Sequence, residues 1–268
     1  MSVRRNVDRE QFYTQRDTAH RLAKWLKHNV KVDQWIEPAA GNGVWLDCLD
    51  ITAAYDIKPQ HPAVKEQDFM ELQWQKKGTL GFVGNPPFGR NSKLAFQFFR
   101  KCAMLGADII AFIVPASWGK ATVQNRVPQN YHLIYQEDLL DEKFWRPNGE
   151  KGRKIPCVFQ VWQWQPKRRE LFDMSMDCND FTFQPRPEGA NACLWSRGAS
   201  AGKVLLKDFA DKSRGTHDWI HSKIDTQLLK ERIEGLDLDH CRKYSTGVPS
   251  IAPSEVIRMY RSKYEQND

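Results

Sequence analysis

A proline-rich loop separates two segments with different apolar patterns, and this arrangement indicates the class of fold. Residues 80–83 form a short apolar run typical of a buried strand. After Ser92, apolar residues recur at three- and four-residue steps, as in an amphipathic helix. A strand that passes through a loop into a helix is the building unit of open α/β sheets, which bind ligands where their strands end. The sequence therefore predicts an α/β fold with this loop at a ligand site.

The loop itself consists of Asn85, Pro86, Pro87 and Phe88. The two prolines fix the backbone and keep the residue before them out of the helical region. We expect the Asn85 amide and the Pro86 carbonyl to point outward as acceptors, with the Phe88 ring beside them as a stacking surface. A flat ring that carries an exocyclic amine would use all three groups. Taken alone, these four residues are also compatible with a simple turn over a buried phenylalanine.

Acids and glycines follow the strands that precede this loop. Residues 34–36 are predicted to form a strand, and after it come Glu37, Pro38, Ala39, Gly41 and Gly43. A Gly-x-Gly turn that leads into a helix, as we expect here, lets a ligand approach backbone amides. The next predicted strand, residues 51–56, ends in Asp56, where an acid commonly accepts hydrogen bonds from ribose hydroxyls. Asp68 and Phe69 add another acid and an aromatic ring before the loop.

Further elements are predicted on both sides of these motifs. Asp17 is a candidate cap for a helix that ends near residue 30. The most apolar run, residues 108–114, predicts a central strand. Residues 133–135 and 157–164 predict two more strands, and the second alternates as a partly covered strand does.

The segment between these last two strands is basic, rich in glycine and contains aromatic residues. Its cationic residues are Arg146, Lys151, Arg153 and Lys154. Such a loop suits contact with nucleic-acid phosphates. The alternative is the solvated tip of a hairpin.

Composition limits the classes of protein to which the chain can belong. The 268 residues are 41% hydrophobic with 10 Trp, which is typical of a globular protein, and the net charge of +7 favours a polyanionic partner. The longest apolar stretch is too short to span a membrane, and the first residues resemble no secretory signal. Six scattered cysteines without a Cys-x-x-Cys pair are typical of free thiols, so we expect a cytoplasmic protein. Apolar periodicity lapses at residue 166, where we place a boundary.

Together these motifs resemble the N6-adenine methyltransferases that use S-adenosylmethionine. The resemblance covers about residues 8–165. It implies that the Glu-Pro-Ala-x-Gly-x-Gly segment holds the amino-acid part of the cofactor, that Asp56 holds its ribose, and that Asp68 and Phe69 bracket its adenine. It also implies that the segment containing Tyr13 and Thr14 closes over the methionine carboxylate. The loop that begins at Asn85 would be catalytic, and Asn85 would also border the cofactor. The chain departs from the family pattern at Ala39, Ala40 and Asn42, which are small enough to fit.

The resemblance also implies a fold and a reaction. The fold would be a Rossmann-like class I methyltransferase domain with a mostly parallel seven-stranded sheet, over residues 1–165. Residues 166–268 would form a small C-terminal extension that recognises the target. The reaction would be site-specific methylation of the exocyclic amine of a flipped adenine, with DNA favoured over RNA as the partner and no membrane involved.

Several alternatives remain open at this stage. Enzymes that methylate RNA adenines or protein glutamines use closely similar loops, and an inactive subunit could bind cofactor and nucleic acid without catalysis. His217 and His221 have the i, i+4 spacing of two metal ligands on a helix, but the glutamate of the His-Glu-x-x-His motif is missing. We therefore expect packing histidines and no metal.

Overall fold

The computed structural model describes residues 12–145, 151–245 and 247–265, without the side chains of residues 143 and 151–153. The chain divides into two compact units. The first contains the described residues up to Ala116 together with Val127–Glu170, and the second contains Ser117–Arg126 and the described residues from Leu171 onward. The sequence pattern gave no sign that residues 117–126 belong with the C-terminal unit. The roles of the two segments stay predictions.

The first unit is built on a seven-stranded sheet. Its strands and an additional hairpin are β1 (Gln34–Glu37), β2 (Ile51–Asp56), β3 (Lys65–Glu66), β4 (Leu80–Gly84), β5 (Ile109–Pro115), β6 (Tyr131–Leu139), β7 (Lys143–Trp145), β8 (Lys151–Lys154) and β9 (Cys157–Trp164). The strand order in the sheet is β3-β2-β1-β4-β5-β9-β6, and β7 pairs with β8 separately. The first five strands are parallel, and β9 runs antiparallel to both of its neighbours. The predicted Rossmann-like, mostly parallel seven-stranded sheet is confirmed.

Burial explains why these segments form the centre of the sheet. All seven residues of β5 are buried, as expected for a parallel strand covered on both faces. The first six residues of β9 are also buried, so the prediction of a partly covered strand is wrong for most of its length. Its apparent alternation comes from Gln160, whose amide donates to Gln136 and accepts from the Trp162 indole N–H instead of facing solvent.

Two helices of the first unit flank the motifs. Helix α1 (Arg16–Asn29) buries Leu22 and Leu26, and α2 (Lys93–Met104) buries Phe96 and Phe99. The prediction that Asp17 caps α1 is wrong, because Asp17 lies inside the first turn. A negative charge at that position still interacts favourably with the helix dipole.

The order of the strands places the two principal motifs side by side. β1 pairs with β4. From β1 the chain continues to β2 and β3 on one side, whereas from β4 it continues to β5 on the other side, so the direction of the connections reverses between β1 and β4. Such a switch point leaves a crevice at the carboxyl ends of the strands. β1 ends at Glu37 and β4 ends at Gly84, directly before Asn85. Both predicted motifs therefore begin at this crevice.

The second unit contains a four-stranded antiparallel sheet and short helices. Its elements are α3 (Ala121–Gln124), β10 (Phe181–Gln184), β11 (Ala192–Trp195), β12 (Val204–Leu205), β13 (His217–Ser222), α4 (Thr226–Glu234), α5 (Asp239–Lys243) and α6 (Pro253–Tyr264). The strand order is β10-β13-β11-β12. Its core includes Phe181, Ile220, Leu229, Ile257 and Tyr260.

The histidine pair lies in this second sheet and not on a helix. His217 and His221 are four residues apart on strand β13, where the rise is about 3.3 Å per residue, so they are too far apart to share one metal ion. Among the described residues, no group of three or more His, Cys, Asp or Glu side chains could hold a metal. No helix in the described part of the chain is long and apolar enough to cross a membrane.

Candidate active site

The loop after β1 is shaped by its glycines and by Asp56. Gly41 and Gly43 have φ angles of +48° and +74°, and the Gly43 N–H donates to the Ala40 carbonyl at 2.7 Å. Asp56, at the end of β2, accepts from the Gly41 N–H at 2.7 Å and from the Lys58 N–H at 2.8 Å. A carboxylate has about four lone-pair positions, so Asp56 can still accept from a ligand hydroxyl. Its predicted ribose contact stays a prediction.

The helix predicted after this loop does not form there. Residues 41–48 make successive turns, in which the Leu46 N–H donates to the Gly43 carbonyl and the Leu49 N–H donates to the Trp45 carbonyl. Trp45 is 1% exposed and stacks on Phe159, so the segment follows the packing of this indole. The segment therefore has no regular helix whose N-terminus could bind a ligand.

Tyr13 covers the glycine loop. A Cβ atom added to Gly41 would lie 2.5 Å from Tyr13 Cε1, so the absence of a side chain at position 41 makes room for this ring. Burial, with a smaller contribution from Asp56, raises the pKa of Tyr13 to about 12. The phenol therefore stays protonated and can donate a hydrogen bond at neutral pH.

Glu37 is a buried acid at the floor of the crevice. It is 2% exposed, and none of the described residues forms a hydrogen bond with its Oε2. Burial, followed by the charge of Asp56, raises its pKa well above the usual value. A Cβ atom on Gly84 would lie 3.5 Å from Glu37 Cγ, which places the acid beside the residue that precedes Asn85. A cationic group bound here would stabilise the ionised carboxylate.

In the part of the chain that the structure describes, three further polar atoms of residues 13, 14 and 45 are buried without hydrogen-bond partners. They are Tyr13 Oη, Thr14 Oγ1 and Trp45 Nε1, and the last was not expected from the sequence. Buried polar groups are nearly always paired in native proteins, so such a group of orphans requires an explanation. Three potential donors and one carboxylate are suited to a ligand that carries both a carboxylate and an ammonium group. An amino-acid moiety fits this donor set.

Asp68 and Phe69 occupy different environments. Asp68 is exposed, and its Oδ1 accepts from the Met70 N–H at 2.8 Å. The Phe69 ring is buried, stacks on Phe98 and meets Phe82 edge to face. Phe69 thus packs the core beneath the crevice, and the bracketing of an adenine by this pair stays a prediction.

The Asn-Pro-Pro-Phe loop is tied to residue 12 through Asn85. Its Nδ2 donates to the Phe12 carbonyl at 3.0 Å, which turns the amide so that Oδ1 faces away from that contact. Among the described residues, neither Asn85 Oδ1 nor the Pro86 carbonyl accepts a hydrogen bond. Phe88 is half-buried and packs against the core, and its carbonyl accepts from the Leu94 and Ala95 N–H groups. Pro86 is buried and the Phe88 ring packs partly against the core, so the outward orientation that the sequence predicts for the two acceptors and the ring stays a prediction.

A tight connection joins this loop to α2. Gly89, Asn91 and Ser92 all have positive φ angles, of 66°, 53° and 59°. Such backbone strain in residues other than glycine is concentrated at functional sites, where the surrounding structure holds it. Exposed Arg90 and Lys93 lie in this connection, so two cations follow the Asn-Pro-Pro-Phe loop in the chain. Their position after the Asn-Pro-Pro-Phe motif could have drawn attention to them in the sequence.

The basic segment forms the hairpin of β7 and β8, but the described structure covers it only in part. Arg146 lies outside the described residues, as do the side chains of Lys151 and Arg153. Lys154 is exposed and forms an ion pair with Asp141, whose pKa this contact lowers. Lys154 is thus not a free cation, and the predicted phosphate contacts of the other three stay predictions.

Glu37 provides a test that depends on pH. Because its folded-state pKa is raised, the folded protein binds this proton more tightly than the unfolded chain does. The resulting stability is fully present below about pH 4.5 and is lost as the pH rises towards the folded-state pKa. Over that pH range we expect the melting temperature of the ligand-free parent to fall relative to that of the Glu37→Gln variant, whose residue 37 cannot ionise. If the melting temperatures of the two proteins changed equally with pH, the raised pKa of Glu37 would be contradicted.

Comparison with known proteins names no family for this chain. No protein-family model matches it, and no curated protein matches it. One similar solved structure comes from Pyrococcus horikoshii and is provisionally assigned as an RNA methyltransferase. It is 17% identical, the match covers 58% of this chain and 88% of that chain, and the TM-score is 0.44. Another comes from Listeria monocytogenes and is provisionally assigned as a class I S-adenosylmethionine-dependent methyltransferase. It is 14% identical, the match covers 59% of this chain and 64% of that chain, and the TM-score is 0.42.

A third similar structure is the DNA complex of MmeI, a type IIL restriction-modification enzyme. It is 10% identical over 91% of this chain and 53% of that chain, with a TM-score of 0.38. Identities and scores this low carry no information about substrate. The function of the site is therefore argued from its own residues.

Proposed function

We propose that this protein is an S-adenosylmethionine-dependent methyltransferase that modifies the exocyclic amine of adenine in nucleic acid, with DNA favoured over RNA. The observation that carries the proposal is the orientation of Asn85. Its amide N–H is anchored to the Phe12 carbonyl, and among the described residues neither Oδ1 nor the carbonyl of the buried Pro86 accepts a hydrogen bond beside the half-buried Phe88 ring. An aromatic amine has two N–H donors and a flat ring, which this arrangement matches.

The residues around the glycine loop would hold the cofactor. Glu37 would pair with its ammonium, while the unpartnered Tyr13, Thr14 and Trp45 groups would donate to its carboxylate. Gly41 would let it approach the backbone. When bound, S-adenosylmethionine supplies an activated methyl group on a positively charged sulfur.

The residues of the catalytic loop would prepare the acceptor. The Asn85 Oδ1 and the Pro86 carbonyl accept hydrogen bonds from the two amine protons, which localises a nitrogen lone pair that is otherwise delocalised into the ring. Phe88 stacks on the base, and its π face favours the positive charge that develops during transfer. The N–C bond forms as the S–C bond breaks, and one amine proton leaves to water. A target adenine inside a duplex must first be flipped out.

The distribution of charge supports a polyanionic substrate of the first unit. The first unit (residues 1–116 and 127–170) contains 24 Lys or Arg and 18 Asp or Glu, whereas the second (residues 117–126 and 171–268) contains 16 and 15. Attraction to phosphates is therefore concentrated on the catalytic unit, near Arg90 and Lys93 among others. Residues 166–268 contain 17 Lys or Arg and 16 Asp or Glu, so recognition of the target by this segment would not depend on a strong net positive charge.

Protein glutamine is the second candidate substrate, since its planar amide nitrogen would engage the same two acceptors. The aromatic Phe88 and the basic first unit favour a nucleobase. The test is to incubate the protein with S-adenosylmethionine carrying a labelled methyl group and, in parallel, duplex DNA, single-stranded DNA, RNA and a protein mixture. We expect label in DNA. Label only in protein would overturn the proposal, and label only in RNA would overturn its preference for DNA.

The hairpin provides a separate test of phosphate contact. Each contact contributes about 0.9 to the slope of log affinity against log salt on duplex DNA. Neutralising Lys151 and Arg153 together should therefore flatten that slope by about two units. Neutralising Lys203 and Lys207 of the second unit is the matched control and should leave the slope unchanged. Equal slopes for the parent and the hairpin variant would show that the hairpin is solvated surface.

A further inference from the structure

The helix that follows the Asn-Pro-Pro-Phe loop has a basic outer face. Residues 72–107, which include this loop and α2, contain six Lys or Arg and no Asp or Glu, although the whole chain has 33 acids in 268 residues. The exposed residues of α2 recur at three- and four-residue steps and therefore share one face; they are Lys93, Gln97, Arg100 and Met104. Arg90 is exposed just before the helix. The outer face of α2 is therefore positively charged.

The cations of this face are not neutralised by acids of the described chain. Among the residues that the structure describes, none forms an ion pair or a side-chain hydrogen bond with Arg90, Lys93 or Arg100. Each of the other helices of nine or more residues has at least one ion pair, namely Arg21–Glu142 in α1, Arg232–Asp180 in α4 and Arg261–Asp173 in α6. Unlike those helices, α2 keeps its positive charge available to attract an anion.

The basic face has a fixed position relative to the Asn-Pro-Pro-Phe loop. The Phe88 carbonyl accepts from the N–H groups of Leu94 and Ala95 at 3.1 and 3.3 Å, so the last residue of the loop is bonded to the first turn of α2. On the side of the helix away from the exposed face, Phe96 and Phe99 are buried. A polyanion bound along the exposed face would therefore be held at a fixed distance from the loop.

The spacing of the charges suits a nucleic-acid backbone. Because an α-helix rises 1.5 Å per residue, Lys93 and Arg100 lie about 10 Å apart along the axis of α2. One strand of B-DNA advances about 3.4 Å per nucleotide, so the two cations span about three nucleotides. Gln97 lies between them on the same face, and a glutamine amide can donate to a phosphate oxygen.

We propose that the exposed face of α2 binds backbone phosphates of the nucleic acid next to the target adenine, chiefly through Lys93 and Arg100. The inference rests on the function proposed above and assigns a surface of the protein to its substrate. Phosphate contacts position a strand but do not read its sequence. This face would therefore supply affinity and register, while other residues would recognise the bases.

The experiment measures the affinity of the full chain for a duplex DNA oligonucleotide of mixed sequence by fluorescence anisotropy over a range of salt concentrations. The test variant combines Lys93→Gln with Arg100→Gln. Each lost contact should lower the slope of log affinity against log salt by about 0.9, so the slope should flatten by about two units. At about 0.1 M salt the affinity should fall about tenfold or more. In methyl transfer to plasmid DNA, the KM for DNA should rise more than kcat falls.

Two controls separate the position of the charges from their number. Lys24→Gln with Lys27→Gln removes two exposed charges from α1 and should leave the slope unchanged, whereas Lys93→Arg with Arg100→Lys keeps both charges on α2 and should retain the parental slope.

The outcomes distinguish this inference from the proposed function. An unchanged slope in the α2 variant, an equal change in the α1 control, or a parent that binds no DNA would overturn the inference. A parent that shows the expected slopes but transfers no methyl label to nucleic acid would support the binding face and overturn the proposed function instead.

Discussion

Replacing Asn85 with alanine is expected to lower the rate of methyl transfer about a hundredfold or more, because removal of one preorganised acceptor or donor at a reacting centre has that effect in other enzymes. The variant loses Oδ1, one of the two free acceptors of the loop, and also loses the anchor to the Phe12 carbonyl. The Phe88 ring and the buried Glu37 stay in place. The affinity for cofactor should therefore change much less than the rate.

Single-turnover transfer with saturating DNA isolates this effect, since neither binding nor product release limits the signal. Asn29→Ala is the matched control, because Asn29 Nδ2 also donates to a backbone carbonyl, that of Trp25 at 2.8 Å, but at the end of α1. The control should react at the parental rate. Parental rates for Asn85→Ala as well would show that the acceptor role is wrong.

Replacing Gly41 with valine is expected to abolish measurable cofactor binding. The new Cβ atom would lie 2.5 Å from Tyr13 Cε1, so either the ring or the loop must move. The φ angle of +48° is also unfavourable for a β-branched residue. Both effects act on the loop that the Tyr13 ring covers.

The measurement is a calorimetric titration with S-adenosylmethionine. Gly189→Val is the matched control, because Gly189 has a φ angle of +79° but no atom within 4 Å of an added Cβ. Each variant is expected to lose about 1–3 kcal/mol of folding stability through backbone strain. Only Gly41→Val should lose the cofactor, and unchanged affinity in that variant would refute the assignment of the loop.

Features that depend on local sequence could be predicted. The strand ending at Gly84, the loop after it and α2 follow from an apolar run, two prolines and helical spacing, all within about thirty residues. Glu37 and Asp56 were predicted to lie at strand ends, and they do. Each of these signals is carried by residues close together in the chain.

Features that depend on distant residues could not be predicted. Asn85 is oriented by Phe12, 73 positions away, and Tyr13 is paired with Trp145. Nothing in the local pattern of either segment indicates its partner. The segment after Gly43 makes turns where a helix is predicted, with Trp45 buried in the core. The histidine spacing at residues 217–221 fits a helix, although the segment pairs as a strand between β10 and β11. Tertiary packing decided both cases.

The central claim is that the two free acceptors beside Phe88 bind the amine of adenine. The most direct test is to methylate duplex DNA with S-adenosylmethionine carrying a labelled methyl group, digest the product to nucleosides and identify the labelled one by mass spectrometry. We expect the label on the exocyclic nitrogen of adenine, and a level about a hundredfold or more lower with Asn85→Ala in the same reaction time. Label on a ring nitrogen, on carbon or on another base would contradict the account.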